Sequence, residues 1–324
     1  MNIKNILKKT AASIAFLTGL AVLLALVSAF FLPKNIMKAF GMEEPSANGI
    51  LGERADSIDV LVLGDSESYS SISPMQMWGQ QGITSYVCGT PGQFLYESEN
   101  YLHQAFENQT PKVVILETNA IYRNFTPEAA VMNRVENLFS IFRYHDRWKS
   151  LNFDDLSGSV NYTWMDDFKG YRYNDAVDGA DGKGYMAFSE KAAVIRERNW
   201  QYVADMAQFC QDYGAEFLLV STPSTVNWNY ERHNGIAELA RACGIRYIDM
   251  NLMGDVIPIN WASDTRDKGD HLNHSGAVKV SAWLGAYLKE NYRLEDHRND
   301  PAYEKWNESL KRYQKAVNPG TSAL

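Results

Sequence analysis

Three cysteines in 324 residues are too few, and too oddly numbered, to build a disulfide framework, and their positions at 88, 210 and 243 give no metal-ligand spacing. Small buried side chains are the plainest reading of all three. There is no glycine-rich phosphate loop, so no nucleotide or other cofactor is expected, and no resident metal is expected either. Nor is there an internal repeat, a low-complexity tract or a block of like charge. Asp and Glu outnumber Lys and Arg by 39 to 31, a formal net charge of −8. That balance argues against nucleic acid or an anionic lipid surface as a partner.

Long hydrophobic runs are scarce as well, with one exception. Residues 11–32 carry no charge, and at a rise of about 1.5 Å per residue they are long enough to cross a hydrocarbon core of roughly 30 Å. Lys4, Lys8 and Lys9 precede the run and favour an inside N-terminus, against a weaker opposing bias from Lys34 and Lys38. A cleaved signal peptide is the competing reading, with Val27, Ser28 and Ala29 as a poor cleavage site that Phe30, Phe31 and Leu32 continue past. The expectation is an uncleaved single-pass anchor over 1–33, a polar tether over 34–56, and a cell-membrane protein whose remaining mass faces outside the cytoplasm.

Beyond the tether, short apolar runs alternate with longer amphipathic ones over 57–292. Strands are predicted at 58–63, 84–88, 112–117, 216–221 and 245–249. Helices are predicted at 74–80, 95–107, 193–213, 230–243 and 275–291. This alternation implies an α/β fold with a parallel sheet between two helical layers. An insertion at about 125–189 breaks the pattern with an apolar helix over 129–142 and then a tract rich in Asp, Gly and Tyr. An insertion this long suits a lid or cap. Its aromatic residues, among them Tyr162, Trp164, Phe168, Tyr171 and Tyr173, either stack on sugar rings or pack the insertion down. A C-terminal tail over 293–324 holds an amphipathic helix with Trp306 and Tyr313 on one face.

The chemistry gathers at two segments some two hundred residues apart. Leu61, Val62 and Leu63 run into Gly64, Asp65 and Ser66, which places a serine at the exit of a buried strand. Ligands of open α/β sheets bind at that edge. A serine hydroxyl needs a base to take its proton, and His271, in the segment Asp270, His271, Leu272 and Asn273, can be that base. His274 is an alternative, but its place in the first turn of a predicted helix suits a structural role. His145, in a local cluster with Trp148, also reads as structural.

These segments resemble the SGNH (GDSL-like) hydrolase superfamily block by block. The resemblance implies a flavodoxin-like three-layer α/β/α sandwich with Ser66 as nucleophile. It implies an oxyanion-hole glycine in the segment 88–93, Gly92 with Gly89 in reserve, and a third donor from the side chain of Asn119 at the end of the strand 112–117. Glu117 and Ala120 depart from the family's usual asparagine block. The family's last block sets an aspartate three residues before the histidine, whereas Asp267 lies four before His271. Asp267 is favoured to orient the imidazole, because Lys268 and Gly269 can absorb one extra residue. Asp270 is the rival, disfavoured because adjacent side chains in extended backbone point to opposite sides, and Asp264 is more remote.

Within the superfamily, one N-terminal anchor with an outward domain resembles the D-alanine-transfer proteins of teichoic-acid modification and the alginate O-acetyltransferase group. That implies an ester hydrolase or O-acyltransferase acting on a cell-envelope glycan or polyol, with a carbohydrate or polyol acyl acceptor. A multi-spanning membrane acyltransferase is the implied partner. The alternative is a non-catalytic scaffold of the same fold that binds glycan or that partner.

Overall fold

The computed structural model describes residues 3–318 except 152, 154, 156–159, 161, 163 and 164, so Trp164 lies outside the described residues. The chain divides into two compact units, one made of residues 1–43 with 125–163 and the other of 44–124 with 164–324.

In the first unit, helix α1 (Ile3–Phe31) carries the apolar run and leaves nearly all of its side chains exposed. The predicted helix over 129–142 is two helices. With helices numbered along the chain, after α2 (Pro45–Asn48), α3 (Ser66–Ser71), α4 (Pro74–Gln81) and α5 (Leu95–Phe106) of the other unit, they are α6 (Pro127–Leu138) and α7 (Ser140–Tyr144). They break at Phe139, whose φ of −127 and ψ of 91 are extended. Thr126 caps the first through a hydrogen bond from the Ala129 amide, and Pro127 follows at a position where a missing N–H costs nothing.

The second unit holds five parallel strands, β1 (Val60–Gly64), β2 (Ser85–Gly89), β3 (Val113–Glu117), β4 (Glu216–Ser221) and β5 (Arg246–Asp249). Their order is β2-β1-β3-β4-β5, the flavodoxin-like order with a topological switch beside β1. Every residue of β1, β2 and β3 is buried, as expected of parallel strands covered on both faces. The helices on those faces include α4 (Pro74–Gln81), α5 (Leu95–Phe106), α8 (Glu197–Asp212), α9 (Tyr230–Cys243) and α10 (His274–Asn291). Val60, Val62, Ile115, Leu218, Val280 and Leu284 belong to one continuous core cluster.

The strands and main helices therefore stand within a few residues of their predicted places. Two short features were not anticipated, helix α3 (Ser66–Ser71) and an antiparallel hairpin of β6 (Thr265–Arg266) with β7 (His271–Leu272). The second half of the expected tether is packed rather than free. Tyr86 donates to the Ser46 carbonyl at 2.8 Å, and Glu53 forms a fully buried ion pair with Lys169 at 2.7 Å. The insertion divides at residue 163. Its later part packs into this unit, where Phe168 meets Tyr313 edge-on at 5.4 Å and Tyr171 is buried with its hydroxyl 3.1 Å from His274 Nδ1. Phe168 and Tyr171 are thus packing residues. The tail helix α11 (Glu304–Val317) joins the same surface, with Trp306 against Trp78 at 5.3 Å. Cys88 and Cys210 are buried, and burial pushes both thiols up, the latter to about 12, so neither is a ready nucleophile.

Candidate active site

Strand β1 delivers Ser66 through a turn whose backbone is fixed at each residue. Gly64 has φ +147, and a Cβ there would meet the Glu117 Cβ at 2.7 Å, so both the conformation and the space demand glycine. Asp65 is the N-cap of α3, its Oδ1 accepting from the Glu67 amide at 3.1 Å. Ser66 is the first residue of that helix and only half-buried.

Asn119 is held from three sides just past β3. Its amide N–H donates to Glu117 Oε2 at 2.9 Å, its Nδ2 to Asp65 Oδ2 at 2.8 Å, and its Oδ1 accepts from Arg232 Nη1 at 2.9 Å. The Arg232 contact fixes which end of the side-chain amide is nitrogen, and one Nδ2–H remains to serve as a donor. Arg123 closes the group with Nε 2.6 Å from Asp65 Oδ2. The two candidate glycines differ in surroundings. A Cβ at Gly89 would strike the Ser68 hydroxyl at 2.3 Å, so that glycine exists to let α3 lie against the sheet. Gly92, at φ +64, has only Arg123 Nη1 within reach of a Cβ, at 3.8 Å, so its surroundings are open.

His271 stands on β7, reached by a four-residue loop from β6. Its Nδ1 lies 3.1 Å from Asp267 Oδ2 and 3.7 Å from Asp270 Oδ2. Asp267, Lys268 and Gly269 all take positive φ, at 54, 56 and 86, and this tight left-handed run turns the Asp267 carboxylate back towards the ring. Arg266 steadies that carboxylate from Nη1 at 2.7 Å. The loop is walled by Ala180 of the later part of the insertion and by Thr225 of the loop after β4, both against Gly269. The premise that set Asp270 aside needs correction. Its backbone is helical (φ −65, ψ −49) rather than extended, so its side chain does approach the imidazole. Asp264 is engaged elsewhere. Although burial opposes it, Lys279 at 2.5 Å and Ser275 hold its carboxyl below the ordinary range. His274 sits among Tyr171, Tyr173 and Tyr313, and burial lowers its pKa.

Glu67 belongs to this site although the sequence reading passed over it. It is almost fully buried, and its carboxyl, that of Asp270 and the His271 ring offer atoms all within 4.8 Å of one another. Asn227 Nδ2 donates to Glu67 Oε1 at 2.7 Å and also to Asp270 Oδ1. Three such groups could hold a metal ion, but the amide of Asn227 already supplies hydrogen to both carboxyls. Burial first, then the neighbouring Glu117 and Asp65, push Glu67 well above the ordinary carboxyl range. Burial and Asp65 push Glu117 up to about 8. Among the described residues, Glu67 Oε2 and His271 Nε2 are both buried without a hydrogen-bond partner. Ser66 and His271 are therefore at one end of the sheet but not hydrogen-bonded to each other. The signal for Glu67 was its place beside the serine at the second position of a short helix.

No family model matches the chain, and no curated protein matches it. Solved structures do. A lipase/acylhydrolase from Enterococcus faecalis is 12% identical, with 74% of this chain and 98% of that one covered and a TM-score of 0.40. A psychrotrophic esterase from Pseudoalteromonas sp. is 11% identical, covering 73% and 100%, with a TM-score of 0.38. A GDSL-like lipase from Bacteroides thetaiotaomicron is 11% identical, covering 71% and 87%, with a TM-score of 0.36. Similarity at this level assigns no residue a role.

Proposed function

We propose that the chain is a serine-dependent ester hydrolase or O-acyltransferase of the SGNH (GDSL-like) type. The observation that carries this reading is the division of labour on His271. Its Nδ1 is 3.1 Å from the Asp267 carboxylate, while its Nε2 is buried with no partner among the described residues. A carboxylate accepting from Nδ1–H leaves the lone pair on Nε2, the form a general base requires.

On this reading Nε2 takes the proton of Ser66 Oγ as that oxygen bonds to the ester carbonyl carbon. The carbonyl π pair moves onto oxygen. The oxyanion is met by the Ser66 and Gly92 backbone N–H groups and the remaining Nδ2–H of Asn119. Losing one such donor typically costs about 10²- to 10³-fold in rate. Collapse expels the alcohol, which takes the proton from Nε2, and the acyl-serine then passes to water or to an acceptor hydroxyl. The Ser66–His271 hydrogen bond would form with substrate bound, since catalytic contacts often tighten only in the complex. The acceptor is a cell-envelope carbohydrate or polyol, α1 anchors the chain in the membrane with the catalytic unit outside the cytoplasm, and a multi-spanning acyltransferase is its partner.

The unmade Ser66–His271 bond and the intruding Glu67 carboxyl favour a second reading, a non-catalytic scaffold that binds glycan or the membrane partner. A fluorophosphonate probe separates the two. Labelling of the intact chain that disappears in Ser66→Ala, with the circular dichroism unchanged, supports the enzyme. Absence of labelling, or labelling that survives Ser66→Ala, overturns it.

A further inference from the structure

We propose that α6 and α7 form a platform lying in the plane of the membrane, their outward apolar face sunk into the lipid beside the outer end of α1. The proposal rests on α1 crossing the membrane and not on the enzymatic reading. The run 11–32 spans about 33 Å, which places its last residue at the edge of the hydrocarbon. Ser28 lies four residues inside that edge, about 6 Å deep. It is also the one α1 residue that is buried among those described. What covers it is α7, whose Ile141 amide donates to Ser28 Oγ at 3.3 Å.

A second tie holds the same segment to the end of the anchor. Arg147 Nη1 donates to the Phe31 carbonyl at 2.5 Å, and Nη2 pairs with Asp155 at 2.7 Å. An arginine here satisfies carbonyl groups that the end of a helix leaves open, and it suits the negative pole of the dipole. The segment is therefore fixed at the depth of the boundary between head groups and acyl chains. In-plane amphipathic helices bury their apolar faces about 5–10 Å into that zone.

The exposed side chains fit this depth. Val131, Val135 and Leu138 recur at helical spacing along one stripe of α6, and Val131 and Leu138 are 59% and 72% exposed. Met132, Phe142 and Trp148 add to the exposed apolar surface, Trp148 with Lys149 Nζ 5.6 Å from its ring. Tryptophan prefers the lipid interface, and a neighbouring lysine can extend to phosphate. Scattered exposed apolar residues need no explanation, whereas a cluster fixed beside a spanning helix has lipid as its natural cover. Burial of apolar area, not net charge, provides the attraction.

Depth-dependent quenching tests the proposal on the full chain in phosphatidylcholine nanodiscs with brominated acyl chains. Cys88 and Cys210 are buried and unreactive, so Cys243→Ser is the background. A bimane reporter is placed at Met132→Cys or Leu138→Cys, with Leu20→Cys in α1 and Val256→Cys on the second unit as references. Lipid brominated near the head group should quench the Met132 and Leu138 positions most strongly and lipid brominated near the chain ends should quench Leu20 most strongly, while aqueous iodide quenches only Val256. Iodide quenching at 132 and 138 with bromolipid quenching at 20 overturns the platform and leaves the anchor standing. Shielding of 132 and 138 from both quenchers overturns it in favour of a protein contact. No bromolipid quenching anywhere removes the anchor and the platform together.

Discussion

Asp267 keeps a left-handed backbone at φ 54, which costs a non-glycine residue roughly 1–2 kcal/mol. Its neighbour Lys268 does the same. Strain of this kind persists only where surrounding structure enforces it, and here it turns a carboxylate onto an imidazole. Asp267→Asn should lower turnover of a p-nitrophenyl ester by roughly 10²-fold. That is less than the ~10⁴ of a sole buried orienting carboxylate, because Asp270 stands nearby. Asp270→Asn should cost much less, and equal losses in the two variants would remove Asp267 from its role. The buried acids predict a pH effect of definite sign. Glu117 titrates near 8 when folded, against an ordinary value of 4.5, so the folded state holds the extra proton. Its contribution to stability is complete below about 4.5 and is lost as pH rises through 8. Glu117→Gln should flatten the fall in unfolding free energy between pH 5 and 8, whatever its own stability; an unchanged slope would assign the effect to Glu67 or to neither. At this scale the sequence was legible where a residue type and a strand end coincide, as at Ser66 and Asn119. It was not legible for Glu67, Arg123, Arg232 and Asn227. Those come from three separate segments, Asn227 and Arg232 sharing one, and meet only because the sheet order brings the segments together.

Elements were read well where periodicity is long and poorly where a few residues suffice. The helix over 230–243 was read to the residue because Asn229 caps it and Gly244 ends it in the left-handed conformation. Helix α3 and the β6–β7 hairpin are too short to carry a period, and the tail was legible as a helix without its role being so. Helix α11 is bound to α4 and to the later insertion. Trp306 meets Trp78, Lys169 Nζ lies 4.7 Å from the Trp306 ring, Tyr313 bonds Ser73 at 3.1 Å, and Arg312 pairs with Asp167 at 2.7 Å. Burying Lys169 with Glu53 raises the Glu53 pKa through burial, even though Lys169 opposes the shift. A buried pair of this kind is costly to break. Trp306→Ala should therefore destabilise the chain by about 3–5 kcal/mol, in the range for truncating a buried aromatic residue. Guanidinium unfolding would show it as a lower midpoint at nearly constant slope. A loss below about 1 kcal/mol, the scale of surface substitutions, would make the tail an appendage instead of part of the core.

The whole molecule is two compact units on one chain, the smaller built from the N-terminal 43 residues and a segment that returns some eighty residues later. An apolar helix at a terminus is consistent with a signal sequence as well as with an anchor, and the sequence alone left both open. The first unit weighs towards the anchor. Helix α7 and Arg147 pack against the last turns of α1, where Ser28 and Phe31 accept hydrogen bonds from Ile141 and Arg147. Cleavage at residue 29 would remove the first partner and leave the second at a frayed end, stranding the buried Arg147–Asp155 pair beside an absent helix. An uncleaved chain should therefore retain α1 in purified membranes, detectable as its N-terminal peptide by mass spectrometry, and resist extraction by carbonate. With Lys4, Lys8 and Lys9 held inside, protease added to intact cells stripped of their wall should remove everything after Pro33 and leave a short membrane-bound stub. Arg147→Ala, which frees the Phe31 carbonyl and strands Asp155, should leave this topology unchanged but render the 125–163 segment sensitive to limited proteolysis first. Release of the chain as a soluble species lacking α1 would end the anchor reading. Complete protection from external protease until lysis would reverse the orientation.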